Sequence, residues 1–205
     1  MVRVVTPVIE ARRPGARGDE DDNAQPLFIE FVNSLHWYEA QPIEMLGDLG
    51  ALNTWLVEQH LAPAQLASAP RTFRTLREHM RAVVKALIAS EPLDLAQLAA
   101  VQRALSRPRG QLVLFDPATD RPHIGVEINA DPTAAAAFRI ALSFANFLEF
   151  GDRKRLKVCA NPGCGFVFVD VSTNATRRWC YMRYCGNRLK VRAFRERQRS
   201  ESAAD

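Results

Sequence analysis

The four cysteines of this 205-residue chain constrain its fold more than any other feature, because all of them lie in one short C-terminal stretch. They form two pairs of identical spacing, Cys159 with Cys164 and Cys180 with Cys185, and fifteen residues separate the pairs. Four clustered thiolates are the ligand set of a tetrahedral zinc site, and a closed shell of four leaves no position for water or substrate. The spacing therefore predicts one structural zinc ion.

The composition favours a metal site over disulfides. With 47% hydrophobic and 24% charged residues, the chain is typical of a soluble globular protein. No apolar run is long enough to span a bilayer, and residues 1–24 lack the apolar segment of a secretory signal. We therefore expect a cytoplasmic protein without membrane contact, whose thiols stay reduced and bind metal.

Charge is divided unevenly along the chain. Residues 1–151 carry 14 Lys and Arg against 18 Asp and Glu, a net charge of −4, whereas residues 152–205 carry 13 against 5, a net charge of +8. A basic end on an acidic body favours an anionic partner, with nucleic acid as the first candidate. A solvated basic surface without a partner would give the same totals.

Residues 26–151 predict a mainly α-helical domain with one small β-hairpin. Apolar residues recur every three or four positions, which gives each predicted helix one buried face. The predicted helix boundaries are marked by Pro26, Asp48, Arg71, Asp94, Asp131 and Gly151. Residues 111–115 and 123–128 instead read as two strands around a turn-rich segment. On the helix over 71–89 we expect these cations on the outer surface: Arg71, Arg74, Arg77, Arg81 and Lys85.

Both ends of the chain are expected to be disordered. Residues 1–25 join an Arg-, Pro- and Gly-rich run to an acidic run over 19–22. Such a segment buries too little apolar surface to offset the entropy of ordering. We expect the same of residues 200–205.

The cysteine stretch, residues 155–199, predicts a small module that ends in a basic helix. Turn-forming residues occupy 161–163, residues 166–171 predict a strand, and a helix over about 186–199 follows the second cysteine pair. Val191 and Phe194 are expected to hold this helix against the zinc core. A core of this size needs the metal for much of its stability.

Arginine is concentrated around the second cysteine pair and on the final helix. Arg188, Arg192, Arg195 and Arg199 follow one another at intervals of four, three and four, so they share one helix face. Such a stripe can contact phosphates along a groove of nucleic acid. The predicted nucleic-acid-binding residues are Arg177, Arg178, Arg183, Arg188, Lys190, Arg192, Arg195 and Arg199.

These residues resemble the CGNR zinc-finger family, which is named for the tetrapeptide at 185–188. The resemblance spans about 156–199 and includes the paired cysteines, Phe168-Val169-Asp170 with Ser172, and Arg177-Arg178-Trp179-Cys180 with Met182. Upstream, Phe31-Val32-Asn33-Ser34 is similar to the Phe-Val-Asn-Thr signature of the ABATE domain, which usually precedes this finger. Here serine replaces threonine and keeps the hydroxyl.

The resemblance implies a bacterial, stress-induced transcription regulator. It implies that the four cysteines bind zinc, that the finger binds DNA, and that an ABATE-like domain over 26–151 senses a ligand or forms a dimer. A single finger gives limited specificity, which makes a homodimer attractive. Two alternatives stay open: a finger that binds RNA, with Trp179 and Tyr181 as stacking groups, and a module that docks an acidic protein.

The role of the helical domain is less constrained. Asn33, Ser34 and His36 are candidates for the lining of a small-molecule effector pocket. The alternative is a satisfied buried asparagine that holds two helices in register. We do not expect an enzyme, because the sequence contains no Gly-rich phosphate loop, nucleophile elbow or recognisable pair of catalytic carboxylates.

Overall fold

A computed structural model describes residues 2–7, 25–38, 41–61, 66, 70–115 and 123–202. Helices dominate these residues: α1 Leu27–Asn33, α2 Leu49–Glu58, α3 Pro70–Ala89, α4 Leu95–Ser106, α5 Pro132–Phe150 and α6 Asn187–Ser202. The strands are β1 Val2–Pro7, β2 Leu35–Tyr38, β3 Gln41–Glu44, β4 Arg109–Phe115, β5 His123–Ala130, β6 Leu156–Val158 and β7 Val167–Val169. They form three antiparallel sheets, ordered β1-β5-β4, β2-β3 and β6-β7. The predicted fold class, mainly helical with small β elements, is confirmed.

Helix boundaries follow the capping residues that the sequence analysis identified. Asp48, Asp94 and Asp131 each accept a hydrogen bond from a backbone N–H in the first turn of the following helix, at 2.8, 2.8 and 3.0 Å. Pro132 is the first residue of α5, and Gly151 directly follows its last residue. Local capping chemistry satisfies N–H groups that a helix start would otherwise leave unpaired, which explains why these predictions succeeded.

Helix α1 is largely buried in the main core. Its Phe28 ring stands 5.2 Å from the ring of Phe144 and 5.0 Å from that of Phe147, both on α5. The same core includes Leu156 of β6 and both ends of β7, Val167 and Val169. The helical region and the first half of the cysteine module therefore share apolar packing.

Two segments that were expected to be disordered contain regular secondary structure. Val2–Pro7 form strand β1, which pairs with β5 in the register Val4 to Ile128, while residues 8–24 lie outside the described residues. Helix α6 continues to Ser202, so the predicted C-terminal tail begins too early. Strand β1 is formed by pairing with a strand more than 100 residues away, which local composition does not reveal.

The expected outer position of the α3 cations is wrong for two of them. Arg77 is only 1% exposed, and its guanidinium binds both carboxylate oxygens of Glu44 at 2.6 and 2.5 Å. Arg81, also buried, donates to the carbonyl oxygens of Val32 and Leu35 at 2.6 and 2.5 Å. It thus satisfies carbonyl groups at the end of α1. Both arginines fasten α3 to the β2–β3 hairpin, which the sequence analysis did not predict.

Candidate metal centre and nucleic-acid interface

The four cysteines form one buried cluster. Their Sγ atoms all lie within 4.8 Å of one another, and the Cys180 sulfur lies 3.6 Å from those of Cys164 and Cys185. A tetrahedron of sulfurs around zinc at about 2.3 Å has edges of about 3.8 Å. The cluster therefore fits one structural zinc ion, as predicted.

Ionisation of the thiols supports this fit. The contact with Cys159 and burial raise the pKa of Cys164, and contacts with Cys159 and Cys164 raise the pKa of Cys180. Sulfur atoms this close cannot all carry negative charge unless a cation balances them. Zinc, when bound, supplies that charge and holds the two halves of the finger together.

Backbone geometry brings the cysteine pairs to one point. Cys159 directly follows β6 and Cys164 precedes β7, and the Cys159 N–H donates to the Phe166 carbonyl at 2.8 Å. A π-helical turn, Met182–Gly186, carries Cys185 and leads directly into α6. A Cβ atom on Gly186 would overlap the Met182 sulfur, so a larger residue at this turn would displace the exposed Met182 side chain. The Asn161 amide lies 3.4 Å from the Cys185 sulfur and donates to it.

Asp170 organises the loop between the two halves of the finger. Its side chain is 0% exposed and accepts hydrogen bonds from Lys157 Nζ at 2.7 Å, from the Ser172 hydroxyl at 2.5 Å, and from the N–H groups of Ser172 and Arg177 at 2.9 Å. Burial raises the pKa of Asp170, but these donors outweigh it and lower the pKa to about 2. Asp170 and Ser172 belong to the family motif, but the sequence alone suggests no role for them.

Two amide side chains from the N-terminal end of the helical region form hydrogen bonds with the backbone of strand β7. Asn33 donates to the Val167 carbonyl at 2.7 Å and accepts from the Val167 N–H at 2.9 Å. Gln25 makes the same pair of contacts with Val169, at 3.3 and 2.7 Å. Residues 167 and 169 point their backbone groups away from β6, so the amides replace a missing neighbouring strand. No local signal identifies Gln25 for this role.

The residues predicted as a pocket lining lie at this junction. Besides Asn33, Ser34 donates to the Phe31 carbonyl at 2.7 Å and accepts from Arg77 at 3.1 Å. His36 Nδ1 lies 3.0 Å from the Asn33 carbonyl oxygen, and its ring stands 4.7 Å from that of Phe166. Polar atoms of all three side chains thus already bind protein groups. Asn33 is thus a buried, hydrogen-bonded asparagine, but it joins helix α1 to strand β7 rather than one helix to another.

The β2–β3 hairpin contacts the finger beside the metal centre. Its Trp37 N–H donates to the Cys164 carbonyl at 3.1 Å. Gly165 has a φ of +67°, and a Cβ atom there would stand 2.8 Å from the Trp37 ring. Glycine at this position therefore permits both the left-handed turn and the close approach of the indole.

Five of the eight predicted nucleic-acid-binding residues line one surface groove of about 700 Å³ along α6: Arg183, Arg188, Arg192, Arg195 and Arg199. Every residue from Val191 to Arg199 is exposed. Val191 and Phe194 are 49% and 52% exposed, so the expectation that they hold α6 against the zinc core is wrong. The helix projects into solvent with its arginines accessible.

The other three predicted residues lie outside this groove. Arg177 is half-buried, donates from Nε to the Trp179 carbonyl at 2.9 Å, and stacks 4.7 Å from the Phe168 ring centroid. Arg178 is exposed and stands 5.5 Å from the Trp179 ring. Lys190 is exposed on α6. Arg177 thus braces the finger from within.

Comparison with known families gives two matches. Residues 25–149 match the model of the ABATE family, described as "Putative stress-induced transcription regulator". Residues 155–198 match the model of the CGNR zinc finger. No curated protein sequence matches the chain. Among the described helices, none is both long and apolar enough to cross a membrane.

Proposed function

We propose that this chain, which belongs to the ABATE family and carries a C-terminal CGNR zinc finger, binds duplex DNA through helix α6. The observation that carries the proposal is the groove along that helix, which brings five arginines together on an exposed surface fixed to a metal centre. Their guanidinium groups are the side chains best suited to phosphate oxygens.

The shape of α6 fits a duplex. The helix extends over 16 residues, and an α-helix about 10–12 Å across enters the major groove, which is about 12 Å wide. Arginines on one face can contact phosphates, and one or two can reach guanine edges. Glu196 pairs with Arg192 at 2.8 Å and neutralises one positive charge. The other four arginines keep the groove strongly positive.

Within this proposal the protein acts in the cytoplasm as a regulator and not as an enzyme, and the helical domain senses an effector or forms a homodimer. The contacts of α1 with β7 support a regulatory role. An effector bound near Asn33, Ser34 or His36 would act directly on the strand that leads to the metal centre. The four cysteines would hold zinc, and the bound ion would fix the position of the second cysteine pair and of the arginines beside it.

Salt dependence of binding to a labelled mixed-sequence duplex tests the proposal. For zinc-loaded protein, five phosphate contacts give a slope of log affinity against log salt of about −4.5. The double variant R192E/R195E should reduce this slope by about two and weaken binding strongly. R71E/R103E, with the same charge change on exposed arginines of α3 and α4, should bind nearly as the wild type.

Absence of salt-dependent binding by the zinc-loaded protein would contradict the proposal. RNA of equal length, added as competitor, separates the two nucleic acids: stronger competition by RNA favours the RNA-binding alternative. Capture of an acidic protein that depends on Arg192 and Arg195, with no nucleic-acid binding, favours the protein-docking alternative.

A further inference from the structure

Tyr38 of the helical region contacts the arginine groove of the finger. It is the last residue of β2, and its hydroxyl accepts a hydrogen bond from Arg188 at 2.8 Å. The Arg188 guanidinium carbon stands 4.6 Å from the centroid of the Tyr38 ring. Arg188 lies in the first turn of α6 and lines the groove, so this contact joins residues 150 positions apart at the proposed binding surface.

Tyr38 is held in place from two sides. Its neighbour Trp37 bonds the Cys164 carbonyl and lies under the Arg81 guanidinium, 5.1 Å from it. At the end of β3, Glu44 is fixed by the buried Arg77. The hairpin is thus anchored both to α3 and to the metal centre, and it presents Tyr38 at a defined position.

The contact fixes the direction of the Arg188 guanidinium. An arginine that is already held against an aromatic ring loses less conformational entropy when it binds an anion. Tyr38 is itself 51% exposed, so its ring lies at the surface beside α6. An exposed tyrosine that orients an arginine in this way is typical of a binding surface.

We propose that Tyr38 is a positioning residue of the DNA-binding surface: it presets Arg188 for a backbone phosphate, so the helical region forms part of the interface. This inference rests on the proposed function. It assigns to the β2–β3 hairpin a direct part in binding and makes the interface a composite of both family domains.

The test measures duplex binding by full-length, zinc-loaded variants. Y38A should weaken binding about three- to tenfold. Y38F keeps the ring and loses the hydrogen bond, so it should fall between Y38A and the wild type. F150A removes another exposed aromatic side chain, 63% exposed at the end of α5, and serves as the matched control with unchanged binding.

A double-mutant cycle separates positioning from a general structural effect. In an R188A background, Y38A should change affinity less than twofold, because its partner is already absent. Hydrogen exchange of the DNA-free protein gives a second readout: amides of residues 187–191 should exchange faster in Y38A than in the wild type, at equal zinc content.

The outcomes distinguish this inference from the proposed function. If the wild type binds DNA and Y38A binds equally well, Tyr38 has no positioning role and the proposed function stands. Tighter binding by Y38A would show that Tyr38 masks Arg188, and unchanged exchange over 187–191 would show that the contact does not order α6; either result overturns the inference. If the wild type binds no duplex at all, both fall.

Discussion

Asp170 shows how a single buried residue can determine the shape of the finger loop. Its carboxylate has no access to solvent, yet four donors surround it, one of them the ammonium group of Lys157. A buried charge is tolerated only when it is paired and hydrogen-bonded. The loop that leads to Arg177 and Arg178 is therefore built around this one carboxylate.

The variant D170N should destabilise the protein by about 2–4 kcal/mol at neutral pH, because an amide has one acceptor oxygen and turns a donor toward groups that are donors themselves. Chemical denaturation of the zinc-loaded proteins measures this difference. S172A, which removes one of the donors, is the milder companion and should cost about 1 kcal/mol.

The difference in stability between the wild type and D170N should become smaller as the pH falls. The pKa of Asp170 is lowered to about 2 from an ordinary value of 3.8. The stability that the Asp170 carboxylate contributes to the folded protein is therefore complete above pH 3.8 and is lost as the pH falls through about 2. Both proteins also lose zinc in acid as their thiolates protonate, so the quantity to follow is the gap between wild type and D170N. A gap that stayed constant from pH 6 to about 2 would contradict the assigned role.

The order of helix α6 depends on the contacts at its N-terminal end. A helix of 16 residues without a buried face is marginal in water, because tertiary packing supplies most helical stability in proteins. Here the π-helical turn that carries Cys185 fixes the start of the helix, and Arg188 ties its first turn to Tyr38. The order of the arginine groove therefore depends on the metal centre.

Removal of zinc by a chelator should melt much of α6. Far-UV circular dichroism should lose part of the helical signal, amides over 187–199 should lose protection from exchange, and duplex binding should disappear. C185S should behave in the same way without chelator. Persistent protection of α6 in the metal-free protein would mean that the helix is held by something other than the metal centre.

At the scale of the whole molecule, the helical region and the finger are joined through strand β7. Apolar residues of β6 and β7 belong to the main core, and the amides of Gln25 and Asn33 occupy the free edge of β7. The metal centre and the helical core should therefore support each other's stability, because each helps to fix the same strand.

Asn33 tests this coupling, and Asn53 is a matched control. Asn53 also pairs its amide with backbone groups, those of Leu66 at 2.8 and 3.2 Å, but within the helical region. Both N33A and N53A should lose about 1–3 kcal/mol of stability by denaturation, because each leaves backbone groups unpaired. Only N33A should also lower zinc affinity, measured by competition with a chelator. Equal zinc affinity in the two variants would show that β7 does not connect the parts.

The sequence by itself determined the features that depend on neighbouring residues. Capping aspartates marked helix starts, cysteine spacing identified the four metal ligands, and the interval between arginines placed four of them on one face of α6. Each of these signals operates over a few residues, within the reach of local backbone geometry.

Only the tertiary structure decided the contacts between distant residues. It buried Arg77 and Arg81 against the β2–β3 hairpin, paired β1 with β5, turned Asn33 toward Val167, and set Tyr38 beside Arg188. These partners are separated by 33 to 150 positions and leave no periodic trace in the sequence. Their physical basis is the need to satisfy buried polar groups, and which groups become buried is known only once the elements have packed.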